Sequence, residues 1–381
     1  MIDFRKEAAE MSQFLTAFRH DLHEHPELSM QEFRTTEKIA QELERLSVKY
    51  TRFKPTGLMC EIKGKAGRTV VLRADIDALP VQETTGLPYA SKEDGRMHAC
   101  GHDTHAAMLL GALMLVNAHK DELKGTVRFI FQPGEENGEG AASVISQGAL
   151  NGADVCFGIH AAPDYPVGFF GAHEGAALAA AVEFSIVISG KAAHGATPHA
   201  SNDAVSAACA AVQALQAVCA RRTDPMEPLV ISVGMINGGT AFNVIPEKCT
   251  ITGTCRYFNK GYDSELPLLM KQAADGAAME YGCTAHLDYK VHTRAVYNDP
   301  AVMRIAKEAA ASVVDPSLIQ EYPMIMAGDD FGAYSDYAPS AYFFLGGGGC
   351  GPGHNGCFTV EDGMLPIGSA IHAAFAFRYL S

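Results

Sequence analysis

Residues 69–75 and 126–131 are two apolar, β-branched runs, and between them residues 104–118 repeat apolar side chains at helical spacing. Strand, helix and strand in that order point to an α/β sheet whose functional groups sit at the carboxyl ends of its strands. Asp75, Asp77, Glu135 and Glu136 all fall at such ends, and a further short strand, 155–159, delivers His160 in the same way.

From about Ala181 the pattern changes. Strand 182–188, helix 204–221, strands 229–233 and 249–256, helix 264–281 and strand 285–289 spell β-α-β-β-α-β, the split arrangement of a ferredoxin-like module. From about Asp299 the earlier style resumes, so an α/β catalytic domain (1–180 and 293–381) interrupted by an inserted domain (181–292) is expected. No internal repeat or low-complexity segment occurs. Near the start, residues 14–46 are helical in pattern with a break at Pro26, and they carry His20, His23 and His25. Spacings of three and two do not hold three side chains on one helical face, so helix-end packing is expected of them rather than metal binding.

With 381 residues, 48% of them hydrophobic, the chain has material for a large core and for two domains. Its formal charge of -14 includes no basic cluster interleaved with aromatics, which excludes nucleic acid as the expected partner. The first residues lack an apolar signal core and no apolar stretch reaches the roughly 18 residues of a membrane span, so cytoplasmic residence without a membrane partner is expected. The ten cysteines lack the short spacings of a secreted scaffold and read mostly as reduced core thiols, with Cys100 the exception.

Cys100 and His102 lie two apart in a glycine-containing loop, His98-Ala99-Cys100-Gly101-His102-Asp103-Thr104-His105, where both side chains converge as metal ligands. His98 and His105 are expected to pack or to orient neighbours, and Asp103 to accept a hydrogen bond from a ligand histidine. Asp75 is expected in a similar orienting role. Glu135 and Glu136 follow an apolar strand, and consecutive side chains point apart, so one can bind metal while the other moves a proton. Alone, His160 reads as a core histidine. His354 follows the glycine run 346–353, which matches neither a phosphate loop nor a dinucleotide fingerprint and reads as backbone brought close to a metal.

Taken together, 73–80 (Arg-Ala-Asp-Ile-Asp-Ala-Leu-Pro), 100–105, 131–136 (Phe-Gln-Pro-Gly-Glu-Glu) and 190–199, which includes His194, make the chain resemble the M20 metallopeptidase family over essentially its whole length. The likeness is to the amidohydrolase branch, with its N-acyl-amino-acid amidohydrolases, hippurate hydrolases and indoleacetyl-amino-acid hydrolases. The resemblance implies a zinc-peptidase-like α/β catalytic domain and a ferredoxin-like lid that also forms a homodimer surface. It implies two divalent metal ions per subunit, zinc or manganese with cobalt or nickel as further candidates, held by Cys100, His102, Glu136, His160 and His354. By the same likeness Glu135 is general base on a metal-bridging water, His194 polarises the scissile carbonyl, and Asn243 and Arg256 hold the carboxylate of an N-acyl amino acid. Asn137, Glu139 and the Asn355-Gly356-Cys357-Phe358 segment depart from the branch pattern at the pocket rim. The rivals are a dipeptide-cleaving peptidase of the same family and a non-catalytic metal-binding protein; an intact base beside intact ligands argues against the second.

Overall fold

A computed structural model describes residues 2–381 and divides them into two compact units. The first comprises residues up to Ala177 with Tyr297–Met324 and Asp330–Ser381; the second comprises Leu178–Val296 with Ile325–Asp329.

An eight-stranded mixed sheet organises the first unit, in the order Tyr50–Arg52, Leu58–Lys63, Lys124–Gln132, Lys65–Asp75, Val155–Ala162, Ser340–Gly346, Phe170–Ala172 and Ile319–Glu321. Four strands in the middle, from Lys124–Gln132 to Ser340–Gly346, run parallel. Parallel neighbours need a crossover, and helix His102–Ala118 supplies it between Lys65–Asp75 and Lys124–Gln132. That helix and Met364–Tyr379 are apolar on nearly every side and lie in the continuous core, which is why neither shows the one-sided pattern of a surface helix. Both strands begin a few residues earlier than the apolar runs indicate, because their first turns of pairing use polar positions such as Lys65 and Lys124.

The amino-terminal segment forms Phe4–Glu10, Ser12–Glu24 and Phe33–Arg45. His25 leaves the helical region (φ -132°, ψ 61°) before Pro26, whose ring disfavours α-helical backbone in the residue ahead of it, though it does not become fully extended. Farther on, Asp299 accepts from the Ala301 and Val302 N–H groups and starts helix Pro300–Ala310 with proline at its first position.

The second unit is a four-stranded antiparallel sheet in the order Leu229–Gly238, Lys248–Tyr257, Ala180–Ser189, Thr284–Thr293, with helices Ala204–Arg221 and Tyr262–Glu280. Chain order and pairing are those of a βαββαβ ferredoxin-like module. In Ala180–Ser189, Val182, Phe184, Ile186 and Ile188 alternate into a separate core of this unit, the period-two burial of a sheet covered on one face.

Two readings of composition are corrected. Helix Ala204–Arg221 is long and apolar enough, by length and composition, to cross a membrane. Alanine, valine and leucine raise its hydropathy, and Ala204, Ala207, Ala208, Ala211, Leu215 and Val218 are buried in the second unit's core. All ten cysteines are free, but only Cys60, Cys156, Cys249, Cys255 and Cys283 are buried; Cys209, Cys350 and Cys357 are exposed.

Candidate metal centre

The carboxyl ends of the parallel strands bring together chemistry from distant parts of the chain. Between Cys100 and His102, Gly101 takes φ +85°, and a Cβ there would lie 3.2 Å from the Ala161 methyl. Only glycine allows this left-handed, tightly packed turn without strain, and it sets both side chains on one side of the loop. Cys100 Sγ is 3.5 Å from His160 Nε2. Glu136 follows a second such turn at Gly134 (φ +64°); its Oε1 is 3.7 Å from His102 Nε2 and its Oε2 is 3.4 Å from His354 Nε2.

Hydrogen bonds set the histidine tautomers. His102 Nδ1 donates to Asp77 Oδ1 at 3.2 Å, and His160 Nδ1 donates to the Ala161 carbonyl at 2.8 Å. Each ring thereby presents an Nε2 lone pair. The Asp77 carboxylate also accepts from Ser29 Oγ and the Glu136 N–H. Burial alone would raise its pKa, but His102, Ser29 and the Glu136 N–H hold it below the usual carboxylate range.

The ligand atoms of Cys100, His102 and His160 lie within 4.8 Å of one another, as do those of Cys100, Glu136 and His354. Two three-residue clusters thus share one sulfur. Among the described residues, His102 Nε2 and Glu136 Oε1 are buried without a hydrogen-bond partner. Burial pushes the Cys100 thiol up, and burial followed by Asp77 and Asp75, against His102, pushes Glu136 up to about 7. Sulfur and carboxylate both resist charging here unless a cation compensates them, and sulfur, imidazole and carboxylate together suit a divalent ion of zinc's type. The donor set fits divalent metal ions, as the family resemblance implies.

Glu135 stands beside this set, its carboxylate within 4.8 Å of the ligand atoms of His102 and Glu136. It accepts from the Asp330 N–H at 3.3 Å. Asp330 belongs to a buried network: Arg73 donates to Asp75 at 2.5 Å, to Asp330 at 2.6 Å and to Gln132 at 3.1 Å, and Tyr334 donates to Gln132 at 2.9 Å. The Ala141 N–H donates to Asp330 at 2.7 Å, holding the far end of the Glu135 loop. The sequence alone places Asp77 at a strand end without a partner and gives Asp330 no role. The signal for each was present: paired acids beside Gly328 for one, a second acid at a strand end for the other.

Asp103 is a correction. It orients no ligand histidine; its Oδ2 accepts from Arg19 Nε at 3.0 Å and His23 Nδ1 at 2.9 Å. One residue past His102 on a helix turns a side chain by about 100°, and here that rotation directs it to helix Ser12–Glu24. Asp77 fills the expected role. Asp75 instead accepts from His105 Nδ1 at 2.5 Å, while His105 Nε2 accepts from the Ala161 N–H at 2.9 Å. With both nitrogens used, His105 packs behind the His160 ring, 4.7 Å away between centroids. His25, at the helix end, bonds the Asp21 carbonyl, while His20, inside the helix, bonds Asp362.

Burial alone would lower the His23 pKa, but Asp103 and Glu83 push it up to about 9. A base with a raised folded pKa contributes stability that is complete below its unfolded value, near 6.5, and lost as pH rises through 9. A shift of that size corresponds to about 3 kcal/mol. Urea unfolding should therefore show stability falling between pH 6.5 and 9, with a clearly shallower fall in His23→Gln; equal slopes in the two proteins would refute the charge on His23.

The glycine run is occupied in holding the His354 loop. Gly347, Gly348 and Gly349 N–H groups donate to the Ala162, Tyr165 and Pro163 carbonyls at 2.8, 2.8 and 3.0 Å, so they do not form a phosphate cradle. The loop is thereby fastened to the end of the His160 strand.

His194, Asn243 and Arg256 belong to the second unit. His194 is exposed in the short strand Ala193–His194, paired with Val244–Ile245, and the Asn243 carbonyl accepts from the Gly195 N–H at 2.7 Å. His194 Nδ1 accepts from the Ala196 N–H at 3.1 Å, which puts the proton of the neutral ring on Nε2 and makes that atom a donor. Arg256 is half-buried in strand Lys248–Tyr257, with its pKa lowered by burial, and among the described residues no carboxylate lies within 4 Å of it.

With this geometry in view, the comparisons converge. Peptidase family M20/M25/M40 matches residues 71–378. The chain is 41% identical over 365 residues to an N-acetylcysteine deacetylase of Bacillus subtilis (strain 168), covering 95% of this chain and 96% of that protein. It is 35% identical over 390 residues to IAA-amino acid hydrolase ILR1-like 2 of Arabidopsis thaliana, covering 100% and 88%. Among solved structures, the Bacillus subtilis YXEP protein, described as a dinuclear metal binding peptidase from the M20 family, matches with a TM-score of 0.87 at 38% identity, covering 98% of this chain and 99% of that one.

Proposed function

Since this chain belongs to peptidase family M20/M25/M40, in its amidohydrolase branch, we propose that it hydrolyses the amide bond of N-acyl amino acids, releasing a carboxylate and a free amino acid. The observation that carries this reading is the pair of clusters sharing Cys100 with Glu135 alongside.

Cys100, His102, Glu136, His160 and His354 would hold two divalent cations, of zinc or manganese type, with cobalt or nickel as further candidates. Bound there, the cations supply Lewis acidity that acidifies water and polarises an amide carbonyl. Glu135 accepts the proton of the attacking water at its carboxylate and returns it to the leaving amine nitrogen. The Asp330 N–H fixes the orientation of that carboxylate. His194 offers its Nε2–H to the carbonyl oxygen as charge develops, from its own chain or from a second copy. Arg256, a half-buried cation without a carboxylate partner among the described residues, takes the substrate carboxylate with Asn243.

The second unit serves as lid and homodimer surface in this proposal. Support comes from its edge strand Leu229–Gly238 and the loop after it, which expose Met235, Ile236 and Phe242.

The test is amino-acid release from acetyl, benzoyl and indoleacetyl amino acids and from dipeptides, before and after chelation. Expected are release from acyl amino acids, its loss on chelation, and its return as zinc or manganese is added to about two equivalents per chain. Release from dipeptides alone, or release indifferent to chelator, would refute the proposal.

A further inference from the structure

The sheet of the first unit has two unlike faces. Phe157, Phe170 and Phe343 point into the continuous apolar core, whereas Phe344, next in the same strand, points the opposite way. Phe344 pairs in register with His160, and their ring centroids are 5.7 Å apart. Tyr322 stacks on Phe344 at 4.0 Å and 14°, and Tyr165 stands 5.4 Å from Tyr322. Phe169 closes the outer end, stacked on Tyr165 at 4.1 Å. None of these four rings belongs to the core cluster.

An aromatic ladder therefore starts against a ligand-cluster histidine and runs through two half-buried tyrosines to Phe169. Neither tyrosine hydroxyl hydrogen-bonds a described residue, so what the ladder presents is ring face and edge. Burial, then Tyr165 and Asp164, push the Tyr322 phenol up to about 12, which keeps it neutral at ordinary pH. A neutral ring wall that begins one ring away from a ligand-cluster histidine discriminates by shape and apolar area.

We infer that Tyr322, carried on Phe344 and flanked by Tyr165, is the specificity-determining surface for the acyl half of the substrate, selecting flat aromatic acyl groups over acetyl. The inference rests on the N-acyl amino acid reading above. An aroyl ring stacked there gains contact area that acetyl lacks, whereas the amino-acid half is the same in both substrates.

The experiment compares kcat/KM for benzoylglycine and acetylglycine in the metal-loaded protein, in Tyr322→Ala and in Tyr322→Phe. The benzoyl-to-acetyl ratio should fall about tenfold or more in Tyr322→Ala and stay within about twofold of wild type in Tyr322→Phe. Equal loss on both substrates in Tyr322→Ala would make the ring merely structural, and a collapse of the ratio in Tyr322→Phe would assign the effect to the hydroxyl; either result overturns the inference. If wild type hydrolyses neither these compounds nor the other acyl amino acids of the panel above, the reading of the reaction fails by itself. Calorimetric binding of the two compounds then tests the ladder separately, and equal affinities would overturn it.

Discussion

Replacing Glu135 by glutamine should lower kcat by about 10³-fold while both metal equivalents remain bound. The amide has the size of the carboxylate and can still accept from the Asp330 N–H, so the loop keeps its shape. What it lacks is an oxygen basic enough to take a proton from water. Three decades correspond to about 4 kcal/mol of transition-state stabilisation, within the range of a positioned general base. Glu136→Gln provides the contrast, because it removes a charge that a cation needs and should first appear as lost metal. Metal content by elemental analysis beside single-turnover rates separates the two, and full turnover by metal-replete Glu135→Gln would remove Glu135 from the mechanism.

Arg73→Met should be the most damaging change to stability, by about 3–5 kcal/mol, read from the denaturant midpoint of the first unit. The side chain is almost wholly buried between Asp75 and Asp330. Methionine fills similar volume but leaves two carboxylates buried without their cation. Since the cost lies in uncompensated charge, adding Asp75→Asn and Asp330→Asn to Arg73→Met should restore part of the loss. An unchanged midpoint for Arg73→Met would show that the network contributes nothing. Activity should fall as well, because Asp330 joins this network to Glu135.

These two predictions mark how far the sequence could be read. Cys100, His102, Glu135 and Glu136 were legible because their spacing and glycine turns are local, and the strand-helix-strand order places them at sheet ends. His160 and His354 gained their roles from family likeness, since each is an isolated histidine in its own segment. Arg73 and Asp330 meet across 257 positions, and no local pattern encodes that meeting. Asp103 is next to His102 in sequence but not in space, because a helix turn directs it to Arg19 and His23. No uninterrupted apolar stretch reaches the length of a membrane span, yet Ala204–Arg221 qualifies by length and mean hydropathy, and only its packing shows what its apolar stripe meets.

Strand Ser340–Gly346 stands in the middle of the first unit's sheet but is translated after the whole span Leu178–Val296. On the ribosome, Val155–Ala162 emerges with one edge paired to Lys65–Asp75 and the other bare until roughly 180 residues later. Nearly all of the inserted unit has by then been released and can begin to fold, while the catalytic half still offers an open, apolar parallel edge. Order of synthesis and order of completion are thus inverted, and the nascent chain's longest vulnerability to aggregation falls on the part that carries the chemistry.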